Sequence, residues 1–437
     1  MIAIKSKYLI SSADEIYTNS AVVVENDIIK DILPNEEVEI KYKNIEEIID
    51  KSDAIIMPGF VNGHMHQYGV LSRGIPANVH FTDFEGFLND YWWPFIENRI
   101  GLKEVKATTK ASAIELIESG VVAFCDTLEA PNTEEGTLIE QGKILEEIGM
   151  KAILSLESCE RISFENGLRC LDENSNLIKW SRENSKLING IMCTHTSFTC
   201  SDRFIKKAKE DAKKLNAPMQ FHLCESIYEP NYAEKHFGKK AVDYYNDLGI
   251  LDETVLASQC VKVNDEEIDI LKEKGVKVVH MPLSNCEVGG GFSPVPKMIK
   301  KGIKVALGTD GYINDFFEVM RGAFLMHKSV EEDASVMPAN LVFRMATEHG
   351  AHVLGLQNSG KIAVGNKADI IVMEDEFKTP VTLDNIFDQI VVQGKKEFIS
   401  NVYIDGRHIL KEKQLVDLDK KAIVKEMKEV ACEFWKF

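Results

Sequence analysis

The chain has 437 residues, 44% apolar and 27% charged, enough for one large core plus a smaller unit and too apolar for wholesale disorder. Its 69 acidic against 51 basic side chains leave a formal charge of −18, a field that repels nucleic acid and anionic membrane surfaces and suits neutral or cationic small ligands. No run reaches the ~18 uninterrupted apolar residues of a membrane helix, and the opening MIAIKSKYLISSADE lacks the apolar run and cleavage site of a signal peptide, so the expected location is the cytoplasm.

Residues 1–57 alternate short β-rich runs with polar turns, as in SAVVVENDIIKDILP. From residue 362 to 437 the same texture returns in KIAVGNKADIIVME and ISNVYIDGRHILK, so both chain ends are expected to build one small β-sandwich, with a C-terminal helix. Between them, residues 58–361 alternate apolar strand-like runs (GFVNGHMH, VVAFCDT, KAILSLE, GIMCTHT, PMQFHLCE, VLASQC, VKVVHMP, KVALGTD) with helical segments such as KEVKATTKASAIELIES and NDEEIDILKEKG. Eight strand-helix units over this length predict an α/β fold, a (β/α)8 TIM barrel, with a doubly wound sheet as the competing arrangement. Nine cysteines without a CxxC pair read as reduced, mostly buried thiols.

His64 and His66 stand at i and i+2 of the first barrel strand, a spacing that puts both imidazoles on one face. His195, His222 and His280 fall at the ends of strands four, five and seven, and Asp310 closes strand eight in ALGTDG. Barrel active sites are built at strand C-terminal ends, so metal-capable side chains gather where chemistry is expected. The remaining six, His80, His236, His327, His349, His352 and His408, read as surface or satisfied residues. Glu225, three residues beyond His222, suits general acid/base work beside a metal-activated water, the alternative being a cap of the next helix. HMPLSNCEVGGGFSPVP lacks a Walker lysine and a GxGxxG pattern, so its glycines suggest a mobile substrate-covering loop.

PGFVNGHMH, FHLCE, HMPLSN, LGTDG and GKIAVGNKADIIVME, in this order along nearly the whole chain, resemble the amidohydrolase superfamily. Within it the chain looks like the aminohydrolase branch of guanine, adenosine-derivative, 8-oxoguanine and triazine hydrolases, and most like the aminohydrolases associated with selenium metabolism. The resemblance implies one divalent metal, zinc first and iron second, bound by His64, His66, His222 and Asp310. It also implies Asp310 and Glu225 as proton carriers in replacing a ring amino group by water. One departure stands out: the branch has a histidine before the strand-six cysteine, and here Gln259 holds that place. Glutamine donates hydrogen bonds but exchanges no proton, which leaves His280 as a partial stand-in.

On the substrate side, Glu97 and His195 match pocket positions of adenosine-type relatives. Arg161 and Arg169 do not reproduce the arginine pattern expected for S-adenosylhomocysteine. Gln67, Trp92, Trp93 and Phe292 are candidates to frame a flat ring, although the two tryptophans also suit an ordinary core. The expectation is a deaminase acting on a small purine-, pterin- or triazine-like heterocycle and working as a homo-oligomer, most simply a dimer. A hydrolase of a cyclic amide or halogenated ring, and a metal-binding relative without turnover, are the alternatives.

Overall fold

The computed structural model describes residues 1–311 and 313–436. Eight parallel strand positions close a barrel: Phe60–Met65, Val121–Leu128, Lys151–Leu156, a divided fourth (Ile188–Gly190 and Met192–Cys193), Met219–Leu223, Val255–Gln259, Lys277–His280 and Val305–Leu307. Closure comes from a parallel bridge between Met65 and Asp310, and from the Thr309 and Asp310 amides donating to the His64 carbonyl at 3.1 and 3.2 Å. Gly308 permits this approach, because a Cβ there would stand 2.6 Å from the His64 carbonyl oxygen. The barrel interior is filled by Val61, Ala123, Ile153, Leu256, Val279 and Ala306, packed with Ala351 and Val353 of the helix Glu348–Val353. The opposite end is left to polar side chains.

Helices run over 102–118 and 265–273, close to the two segments whose periodicity predicted them, and a further one over 202–214. The segment 84–99 is not one helix but a chain of short turns, including a wide-turn stretch at Phe87–Trp92.

Strands from both chain ends share one nine-stranded sheet, in which Glu47–Pro58 pairs with Ile2–Ser12 on one side and with Ile370–Met373 on the other. Residues on one face, among them Ile4, Val22, Ile56, Ile370 and Tyr403, form a core of their own, so the sheet folds over itself as a sandwich. Its other face, with Ile55, Met57 and Ile371, joins the barrel core. The two units are pinned by Lys151, whose ammonium lies 2.7 Å from both carboxylate oxygens of Asp369 and also contacts Asp405. Lys151 and Asp369 are buried, so Lys151→Met leaves uncompensated carboxylates. Urea unfolding should show a loss of about 3–5 kcal/mol, against under about 1 kcal/mol if the pair behaved as a surface one.

Among the described residues, Cys286 and Cys432 are exposed, the other seven cysteines are buried, and all nine are free. No helix among the described residues is long and apolar enough to cross a membrane.

Candidate active site

Strand one delivers His64 and, one residue past its end, His66, and strand five delivers His222. Their Nε2 atoms converge: His64 lies 3.3 Å from His66 and 3.2 Å from His222. The tautomers follow from the outer nitrogens. His66 Nδ1 lies 2.7 Å from the Thr127 carbonyl, which only accepts, so Nδ1 carries a proton and Nε2 is the inward atom. Against the pull of burial, Glu129 and Asp310 raise this imidazole well above its ordinary value, so Nε2 faces Asp310 as a charged partner until an ion takes the place of its proton. His64 Nδ1 is held by the Ser258 hydroxyl at 2.9 Å.

Burial, with the neighbouring His66, pushes His64 down to about 4, and burial with His64 pushes His222 down to about 3, so both rings are neutral donors. Imidazole nitrogens this close need a proton or a metal cation among them. The donor set therefore fits a divalent ion, and nitrogen donors beside a carboxylate suit zinc.

Asp310 completes the set from the end of strand eight, in the left-handed region at φ +60°. Its Oδ1 lies 3.1 Å from His66 Nε2 and accepts from the Gly311 amide at 2.7 Å. Burial opposes its charge, yet His66 and the other imidazoles hold its pKa well below the usual carboxylate range. Gln259 Nε2 donates to Asp310 Oδ2 at 2.6 Å, and Gln259 Oε1 accepts from Asn285. An ionised carboxylate only accepts, which fixes the amide's orientation. Gln259 thus holds the Asp310 carboxylate in its orientation beside the imidazoles. Gln259→Ala should weaken metal binding about 10–100-fold in competition with a chelator, and an unchanged affinity would show that Asp310 holds itself in place.

Glu225 lies beyond strand five and lines the same cleft as His66, His222 and Asp310. It does not cap the next helix, Tyr228–Phe237; Glu229 anchors that turn, accepting from the Cys224 and Ser197 amides at 2.6 and 2.9 Å. Burial, reinforced by Asp310 and Glu129, pushes Glu225 well above the usual carboxylate range. The triple-glycine loop packs beneath it: a Cβ on Gly290 would stand 2.6 Å from the Glu225 carbonyl oxygen. Gly290→Ala should therefore displace Glu225 and lower kcat roughly 10–100-fold at constant metal content, measured by steady-state kinetics beside metal analysis.

Other predicted residues are distributed unevenly. His195 lines the cleft, while His280 turns to His327, with 3.0 Å between their Nε2 atoms. His280 does not line the cleft and is not a stand-in for the missing strand-six histidine, and its partner His327 is a buried member of a pair. Gln67 is buried against Gln141, 3.0 Å away, and also lies off the cleft wall. Glu97 is buried against the Arg161 guanidinium at 2.7 Å, which Trp93 covers with its ring at 4.6 Å. Trp92, Phe84 and Phe87 form the aromatic wall, whereas Trp93 meets His195 edge-on and Phe292 is exposed away from it.

Two residues were missed from the sequence. Glu129 and Glu157 follow strands two and three directly, and both are buried beside the histidines. The signal was present: a carboxylate ending an otherwise apolar barrel strand, the same criterion that singled out Asp310.

Three converging imidazoles and a carboxylate at the strand-end mouth of a barrel define a metal-dependent hydrolase. The chain belongs to the Amidohydrolase family, whose match spans residues 55–409. It is similar to a 5-methylthioadenosine/S-adenosylhomocysteine deaminase of Dictyoglomus turgidum, 31% identical over 97% of this chain and 96% of the relative. It also resembles a 5'-deoxyadenosine deaminase of Methanosarcina acetivorans, 29% identical over 99% and 98%. The crystal structure of a zinc-bound adenosine deaminase from Xanthomonas campestris superposes with a TM-score of 0.91 at 23% identity, covering 100% of this chain and 99% of that one.

Proposed function

We propose that the protein hydrolytically deaminates an amino-substituted heteroaromatic ring, a purine or purine nucleoside first among them, and releases ammonia. The observation that carries this reading is the placing of Glu225 and Asp310 around the three inward-facing Nε2 atoms, in a cleft walled by Trp92 and Phe87. The deaminases of adenosine derivatives among its relatives support the ring and the reaction.

His64, His66, His222 and Asp310 would hold a divalent ion, which when bound would supply the Lewis acidity that activates a water for attack on the amino-bearing carbon. Asp310 takes a proton from that water. Glu225 protonates the adjacent ring nitrogen, then the departing amine. Gln259 keeps the Asp310 carboxylate aimed throughout and exchanges no proton. The aromatic wall stacks the ring and excludes water from its faces.

The test is ammonia release by zinc- and iron-loaded protein across aminopurines, their nucleosides, aminopterins, cytosine and aminotriazines. Ammonia from at least one of these, abolished in Glu225→Gln, is the expected result. Silence across the panel with metal bound would sink the reading. Because Gln259 cannot shuttle a proton, the panel includes a chlorotriazine, and chloride release would transfer the assignment to dehalogenation.

A further inference from the structure

We propose that the protein has a second divalent metal site beside the first, formed by Glu157, His195 and the Nδ1 atom of His222, with Glu129 lying between the two sites. One ligand atom from each of Glu157, His195 and His222 lies within 4.8 Å of the others, as in the set His64, His66 and His222. All of these side chains are buried.

Unpartnered atoms point to a ligand. His222 turns Nε2 toward His64, and its Nδ1 has no hydrogen-bond partner. Oε2 of Glu157, likewise without a partner, lies 3.9 Å from that Nδ1. This is too long for a hydrogen bond, and two unpaired polar atoms in a buried wall are costly. Two ligands on a tetrahedral zinc ion, each at 2.0–2.2 Å, stand about 3.4 Å apart, so a small inward shift places both on one ion. Oε1 of Glu157 lies 3.8 Å from His195 Nδ1, which also meets the Thr199 hydroxyl at 3.0 Å.

Charge argues the same way. Glu97, Glu129 and Glu157 are buried together and interact electrostatically, and Arg161 is paired with Glu97. Three buried carboxyl groups therefore lie beside one guanidinium; burial and the neighbouring Glu129 hold Glu97 and Glu157 well above the usual carboxylate range, and a divalent cation in the cluster would let Glu157 ionise. Glu129 Oε1 lies 3.8 Å from His66 Nε2 and 3.9 Å from His222 Nε2, within reach of the first site as well. With both sites filled, His222 would bridge them as an imidazolate, its Nδ1 proton released to solvent as the second ion binds. Two imidazoles with carboxylates suit zinc, manganese(II) or iron(II) rather than magnesium.

The experiment is metal counting on the full chain, stripped with a chelator and reloaded separately with zinc and with manganese(II), by mass spectrometry of the metal and competition titration. The wild type should bind two equivalents in two affinity classes. Glu157→Gln and His195→Asn, each checked by circular dichroism and thermal melting, should each lose one equivalent and keep the other class. One equivalent in the wild type with either metal, or two equivalents persisting in Glu157→Gln, would overturn the proposal and leave Glu157 as an orienting partner of His222. Metal counting is independent of substrate: two bound ions without ammonia release would remove the deaminase reading and leave this one standing.

Discussion

Glu225→Gln should lower turnover by about three orders of magnitude while metal content stays at the wild-type level. Glutamine keeps the size and hydrogen-bonding reach of the side chain but cannot take up and return a proton, so the change isolates proton transfer from packing. Glu225 lines the cleft without belonging to the imidazole cluster, and the turn that carries it is anchored by Glu229. Its pKa, raised by burial and by Asp310 and Glu129, suits a carboxyl that must act as an acid near neutrality. Steady-state kinetics with metal analysis on the same preparation check this. A loss below about tenfold would remove Glu225 from the chemistry, and a loss of metal would make it part of the metal site.

Asp310→Asn should cost more, because in the proposed mechanism the same carboxylate both holds the ion and accepts the proton of the attacking water. Asp310 is the carboxylate facing His66, and it is held from both sides, by the Gly311 amide on Oδ1 and Gln259 on Oδ2. Asparagine removes the charge and can turn an amide nitrogen toward a donor, leaving one of two donors facing another. Affinity at the first site should fall by more than the roughly 10–100-fold typical of an outer residue, and activity should drop about 1,000-fold or further even under saturating zinc. Competition with a chelator and activity at saturating zinc separate the two effects. Full recovery of activity at high zinc would show that Asp310 binds metal and takes no proton.

The set His64, His66, His222 and Asp310 was readable in the chain because each stands at or near the C-terminal end of a recognisable strand, and strand ends in a barrel share one mouth. The barrel itself followed from alternating periodicities, and the shared terminal sheet from β-rich texture at both ends. The aromatic-rich segment 84–99 is a chain of short turns that supplies the cleft wall through Phe84, Phe87 and Trp92, an arrangement with no periodicity to read. Glu129 and Glu157 were overlooked because acidic residues are common and usually solvated, whereas histidines are few enough to audit.

Spacing along the chain thus placed His64, His66, His195, His222 and Asp310 at one mouth, though it placed His280 there too, and the choice of ligands and of chemistry among them came from the family resemblance. Only the tertiary structure decided how they are paired: His280 with His327, Gln259 with Asp310 and Asn285, Glu97 with Arg161. These partners lie on different elements, from 26 to 64 residues apart. Strand periodicity tells which face a residue occupies, but hydrogen bonds depend on the stagger between neighbouring strands and on the rotamers that packing allows. Those are properties of the closed barrel.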